Sequence, residues 1–452
     1  MRIARKSQPT LEEPWIDCAH ARELEAVSRI LDDNPELSQM VGRDIGQGAE
    51  PRDVFHGMTG EQTLRALFVR QMNGFTYEEL AFHLLDSRTY RTFCRIGLTD
   101  SSPSKSTLGE NIKRVQAETL EKINRLLVAF AVEKGIDKGQ KVRIDSTAVE
   151  ANIHHPDDSS LLWDCIRVLT RLMYYARELV GSAVIFPDRT MRAKRRVKTI
   201  LYAKTNERRR APYRDLLKIA GEVTRAACRI ATQLREFQAD SAMGGIKAEG
   251  LAAAIDDVLA STDKVVDQTR RRVLQGEKVP ASEKLVSIFE QHTDIIVKGS
   301  RDVTYGHKVF LTGGPSSLIL DCLVAEGNPA DTSLAETMID RLVEICGQAP
   351  RQAAFDGGFA SQDNLSALKE KGVKDVMFNR KRGLEVSEMV SSTWVYRRLR
   401  DFRAGVEGCI SFLKRVFGLG RCAWRSFPSF KSYVWASVVS CNLLVLARHL
   451  LN

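Results

Sequence analysis

Three acidic residues stand where a carboxylate can do chemistry. Asp145 lies inside KVRIDSTAVEAN (residues 141–152), where Val142 and Ile144 alternate with Arg143, Asp145 and Thr147, the period-2 pattern of a strand. A carboxylate in a half-buried strand has to be hydrogen-bonded, paired or metal-bound. Asp356 ends the short apolar run of QAAFDGGFA, the place where parallel strands of open α/β sheets present ligands. Gly357 and Gly358 after it let the backbone turn and a ligand approach. Glu407 lies in RAGVEGCISFLKR, and Arg403, Glu407 and Lys414 are spaced four and then seven residues apart, which puts them on one helical face. An acid flanked by two bases suits a metal ligand with phosphate contacts on either side; a surface ion-pair ladder has the same spacing. Hard divalent cations take oxygen ligands. Three convergent carboxylates could hold two such ions about 3.5–4 Å apart for an in-line phosphoryl displacement.

No other centre competes in the sequence. The nine cysteines are scattered and include no C-x-x-C, which argues for a reducing compartment and against a zinc site. The eight histidines show no ligand spacing, and His307 reads as a hydrogen-bonded strand residue. Neither a phosphate-cradling G-x-x-x-x-G-K-[ST] loop nor a G-x-S-x-G elbow is present.

The elements that would position the acids follow from periodicity. Residues 1–137 read as helices. Thr76 with Glu79 forms a capping box for a helix carrying Leu80, Phe82 and Leu84, and Leu64, Leu67, Phe68 and Met72 mark a helix closed by Gly74. The Ser- and Pro-rich turn from Ser101 leads into a short helix, so a helix-turn-helix with Lys105 and Arg114 in the reading position is one account and a plain helical bundle the other. Residues 156–287 are helical. From Thr293 three runs (TDIIVKG, HKVFLTGG, SLILDCLVAEG) predict an antiparallel meander. Next come a helix capped by Asp331, the strand ending at Asp356, a helix, the strand VKDVMF and a long helix over residues 398–417. This order predicts an α/β, RNase H-like mixed sheet core with a large helical insertion after its first strand.

Lys plus Arg outnumber Asp plus Glu by 67 to 57, a net charge of +10 that suggests a polyanionic partner. Residues 189–214 hold eleven basic residues against the single acid Glu207. That density repels itself unless a partner neutralises it, and phosphate backbone is the expected partner. Arg192, Lys194, Arg195, Arg196, Arg208, Arg209 and Arg210 are the candidate contacts there. Lys308, Arg380, Lys381 and Arg382 are further candidates. Trp163 could stack on a flipped base or fill the core of the insertion.

At these motifs the chain resembles the DDE transposases of bacterial insertion sequences, the ISNCY group most closely. The resemblance rests on IDSTAVEANIH, AAFDGGFAS and FRAGVEGCISFLKRVFGLGR. Asp356, Gly358 and Phe359 match the family's second motif, and Arg403, Glu407 and Lys414 its third. Where related transposases carry a Tyr three residues before the Arg, this chain has Arg400. The resemblance implies that Asp145, Asp356 and Glu407 are catalytic and bind Mg²⁺, with Mn²⁺ as a substitute. It implies that water cuts the ends of the element, and that the freed 3′-OH attacks target DNA. It also implies DNA partners (terminal inverted repeats and target) and a homodimer or higher oligomer on DNA.

The expected layout is a helical DNA-binding domain at 1–137, a catalytic core at 138–155 with 288–452, and a basic helical insertion at 156–287. The N-terminus lacks the apolar core of a signal peptide. The apolar run at 433–447, broken by Ser437, Ser440 and Asn442, reads as too short to span a bilayer. A cytoplasmic, nucleoid-associated bacterial protein without a membrane partner is therefore expected. Two rival readings are an RNase H-like nuclease that cuts without joining, and a domesticated DNA-binding protein without activity.

Overall fold

The computed structural model describes residues 18–46, 57–97, 100–181, 183–239, 241–298, 302–379 and 382–452. The N-terminal 17 residues, Arg380 and Lys381 lie outside them. The chain divides into two compact units, one made of Met1–Ala151 with Gly306–Asn452 and the other of Asn152–Tyr305.

Among the described residues of the first unit, seven helices precede the sheet: α1 (Ala19–Asp33), α2 (Pro35–Ile45), α3 (Gly60–Asn73), α4 (Tyr77–Asp86), α5 (Arg88–Phe93), α6 (Lys105–Arg114) and α7 (Ala117–Glu133). The Thr76–Glu79 capping box forms at the start of α4, and Gly74, in the left-handed region at φ 66°, ends α3. Leu80 and Leu84 face inward, whereas Phe82 is 59% exposed. Within this bundle Arg65 is fully buried. It bonds Asp32 at 2.6 Å, Glu61 at 3.0 Å, Ser28 Oγ at 2.8 Å and the Phe93 carbonyl at 3.1 Å, the saturation a buried guanidinium requires.

The second unit is built on four helices, α8 (Asp158–Val180), α9 (Thr190–Tyr202), α10 (Asn206–Glu236) and α11 (Ala242–Thr269). Their apolar faces close a core of their own around Leu162, Ile166, Leu216, Ile219, Ala227 and Ile255.

The sheet is mixed. Its strands are β1 (Lys141–Glu150), β2 (Asp294–Lys298), β3 (Asp302–Gly313), β4 (Ile319–Val324), β5 (Gln352–Phe355) and β6 (Asp375–Phe378). The order is β2-β3-β1-β5-β6, with β4 also on β3. β1 is antiparallel to β3 and parallel to β5, and β5 is parallel to β6. The remaining helices are α12 (Ala335–Cys346), α13 (Gln362–Glu370), α14 (Val386–Met389), α15 (Thr393–Val416) and α16 (Phe427–Leu451). α15 packs across β1, β5 and β6.

Two expectations need correction. Asp331 does not cap α12; it opens a 3₁₀ turn, and the start of α12 has no side-chain cap. The apolar C-terminal run is not short: α16 has 25 residues, long and apolar enough to cross a membrane by composition alone, with 78% of its most apolar window buried inside the protein. Its polar residues do not end it because they find partners. Asn442 bonds Asn124 and the Ile319 carbonyl, each at 2.7 Å, and Ser437 accepts from Gln71 at 2.9 Å. These bonds tie the final helix to α3, α7 and the edge strand β4.

Candidate active site

Asp145 and Asp356 come together through one strand pairing. In the parallel β1–β5 ladder Ile144 lies opposite Phe355, so the next residue of each strand is an aspartate at the same end of neighbouring strands. The Asp356 amide donates to the Ile144 carbonyl at 3.4 Å. Two tight residues after Asp356 allow the chain to turn there. A β-carbon at Gly358 would lie 2.6 Å from a carboxylate oxygen of Asp331.

The third acid arrives on α15, and one side chain joins all three. Arg403 Nη2 lies 2.8 Å from Asp145 and 2.8 Å from Asp356, and Nη1 lies 3.1 Å from Glu407. The guanidinium is 11% exposed, while the carboxylates open progressively toward solvent: Asp145 12%, Asp356 35%, Glu407 68%. The Ser146 amide donates to the other oxygen of Asp145 at 2.7 Å. Three anions thus converge on a single cation. Among the described residues no His, Cys, Asp or Glu group is already spaced as a metal cage; the acids are arranged about the guanidinium instead. Carboxylate oxygens are the donor class that hard divalent ions take; here a guanidinium stands among them.

Lys414, the second flanking base, donates to the Ala148 carbonyl at 3.0 Å and holds α15 along β1. Its neighbours on the same strand matter too. Arg143, two residues before Asp145 and so on its face of β1, reaches under α15 to the Phe402 carbonyl at 3.1 Å and Cys409 Sγ at 3.2 Å. On the opposite face Ser146 Oγ donates to Asp331 at 3.3 Å, and Lys308 Nζ donates to Asp331 at 3.1 Å and to the Pro329 carbonyl at 2.7 Å. Sequence reading missed Arg143 and the carboxylate role of Asp331. The alternation that singled out Asp145 also places Arg143 beside it, so that signal was present. Nothing in the sequence separates a capping aspartate from one that bonds side chains of β1 and β3.

The remaining candidates fall into two groups. Lys105 forms an exposed ion pair with Glu78 at 2.9 Å, and Arg114 is exposed at the end of α6. Along α9 and α10, Arg192 and Arg196 both bond Asp215 at 2.5 Å, Arg209 donates to the Ala203 carbonyl at 3.2 Å and Arg210 to the Leu274 carbonyl at 2.6 Å. Lys194, Arg195 and Arg208 are exposed. Trp163 is partly buried against the core of the second unit. His307 is buried on β3 between the rings of Phe427 and Phe430, at 4.7 and 4.8 Å.

Residues 298–443 match the family described as "Transposase DDE domain", and residues 21–114 match "Transposase domain (DUF772)". No curated protein and no solved structure matches the chain. The first match contains Asp356 and Glu407, and the second ends with the helix that carries Lys105 and Arg114. Together they identify the chain as a DDE-type transposase of an insertion sequence.

Proposed function

We propose that the protein cuts the ends of its element and joins the freed 3′-OH to target DNA at the site formed by Asp145, Asp356 and Glu407. The observation that carries this reading is the convergence of those three carboxylates on Arg403, from β1, the end of β5 and α15. The strand order supports an RNase H-like core: an antiparallel set β4-β3-β1, then β5 and β6 parallel to β1.

The three carboxylates would hold Mg²⁺, which supplies activation of the attacking oxygen and stabilisation of the leaving one. Arg403 acts as the internal counter-ion in the DNA-free chain and transfers its guanidinium to a backbone phosphate when DNA arrives, a bidentate role suited to arginine. In the first step water forms a phosphorus–oxygen bond as the strand's own phosphorus–oxygen bond breaks, leaving a 3′-OH; in the second that hydroxyl does the same to target DNA. DNA reaches the protein through two further surfaces in this reading: α6 with Lys105 and Arg114 in the helical domain at 1–137, and the exposed Lys194, Arg195 and Arg208 of the insertion at 156–287.

The test is an incubation of wild-type protein with DNA bearing the element's ends, target plasmid and Mg²⁺. Joined end–target product is the expected result. Linear cut product without joining would favour the hydrolytic nuclease, and binding without cutting under Mg²⁺ or Mn²⁺ would favour a DNA-binding protein without activity.

A further inference from the structure

Arg143 is a buried cation with no carboxylate partner among the described residues. It is 7% exposed. Its guanidinium bonds the Phe402 carbonyl and the Cys409 sulfur, and it lies 4.9 Å from the centre of the Phe402 ring. Its Nε has no hydrogen-bond partner. Burying a guanidinium on such terms is expensive, and an apolar side chain of equal volume would fill the space more cheaply. Covered by α15, it is not displayed to solvent as a phosphate contact would be.

Gly405 shows what the arrangement demands. A β-carbon there would overlap Arg143 Nη1 and lie 3.1 Å from Cζ, so the guanidinium, the end of a long side chain, would have to move from its bonds to Phe402 and Cys409. Glycine inside a helix is destabilising by about 1 kcal/mol relative to alanine, yet here it leaves room for the guanidinium. Gly408, one turn further along, has nothing within 4 Å of such a β-carbon. The two glycines are therefore not equivalent.

We propose that Arg143 and Gly405 are positioning residues that set the register of α15 on β1 and so place Arg403 and Glu407 against Asp145. The geometry is directional. A helix advances about 1.5 Å and turns about 100° per residue, so a one-residue slip would swing Glu407 off the site. Arg143 can meet the Phe402 carbonyl and the Gly405 gap together in only one of those registers. Other ties between α15 and β1 are the Arg403–Asp145 and Lys414–Ala148 bonds and the Lys141 ammonium 4.3 Å from the centre of the Phe402 ring, and the functional reading assigns Arg403 to DNA. Arg143 holds the α15 backbone at Phe402 independently of where Arg403 is engaged. The proposal rests on the carboxylate site described above.

The experiment compares full-length Gly405→Ala, Arg143→Met, the double variant and Gly408→Ala for thermal unfolding, affinity for end DNA and single-turnover cleavage. Gly405→Ala is expected to fold and bind within about threefold of wild type but to cut roughly a hundredfold more slowly, the scale of a misplacement near 1 Å. The double variant, with the guanidinium removed, should recover about tenfold of that loss, the non-additivity expected of residues in contact. Gly408→Ala should cut like wild type. Cleavage by Gly405→Ala at the wild-type rate would overturn the proposal. So would a folded double variant no faster than Gly405→Ala, or a Gly408→Ala as slow as Gly405→Ala. Should Gly405→Ala fail to fold, a folded Arg143→Met that cuts at the wild-type rate would overturn it equally. A wild type that cuts nothing would overturn the functional reading instead, and the coupling of the two residues would then be decided by their melting temperatures.

Discussion

The carboxylate site and the basic helices of the second unit are both dense in charge, and they handle it in opposite ways. At the site the charges converge. Arg403 reaches Asp145 across 258 residues of sequence and pairs with three acids at once, leaving the cluster net negative. Along α9 and α10 the charges fan outward, the Arg196–Asp215 and Arg192–Asp215 pairs span 19 and 23 residues, and Lys194, Arg195 and Arg208 face solvent. Convergence suits the proposed chemistry, in which Arg403 gives way and leaves a preformed anionic site behind. Outward display suits attachment to a long polyanion, which needs many weak contacts rather than one exact one.

Removing an acid from the convergent region has the largest expected effect. Asp145→Asn should lower cleavage of end DNA by roughly a thousandfold while leaving DNA affinity within about threefold, since a metal ligand stabilises the transition state more than the complex. Equal losses in binding and cleavage would show that Asp145 acts through structure or attachment. Next in size is Arg403→Gln. With the competing cation gone, the DNA-free chain should bind Mn²⁺ about tenfold more tightly by calorimetry, a shift near 1.4 kcal/mol. Unchanged or weaker Mn²⁺ binding would remove Arg403 as the internal counter-ion. The smallest effect belongs to the outward region. Alanine at Lys194, Arg195 and Arg208 together should weaken DNA binding and reduce the slope of log affinity against log salt by about 0.9 per lost phosphate contact. Cleavage once DNA is bound should stay the same, and an unaltered salt slope would take this face out of the DNA interface.

Legibility in the sequence followed the same division. Asp145, Asp356 and Glu407 could be picked out because each sits in a local pattern: alternation on a strand, a strand end before two glycines, and spacing on a helix. Their meeting at Arg403 could not be read, since it depends on the β1–β5 register and on the placement of α15. The ion-pair ladder implied by the spacing is half present, as Arg403 does bond Glu407, but the same guanidinium also holds both aspartates. The basic segment looked less balanced than it is because Asp215, which pairs Arg192 and Arg196, lies one residue beyond the counted window. Asp331 was read as a helix cap because aspartate at a helix start has that local use; its bonds to Ser146 and Lys308 exist only in the folded sheet. Ser437 and Asn442 were read as breaks in an apolar run, and tertiary partners instead let α16 continue through them.

The most direct measurement is single-turnover cleavage, with Mg²⁺, of DNA carrying the element's ends by wild-type protein and by Glu407→Gln. Glu407 is the most exposed of the three acids and the one whose neighbours also describe a surface ion pair. The three-carboxylate account predicts equal binding of the ends and a loss of cleavage of roughly a thousandfold in the variant. Cleavage by Glu407→Gln at close to the wild-type rate would contradict it.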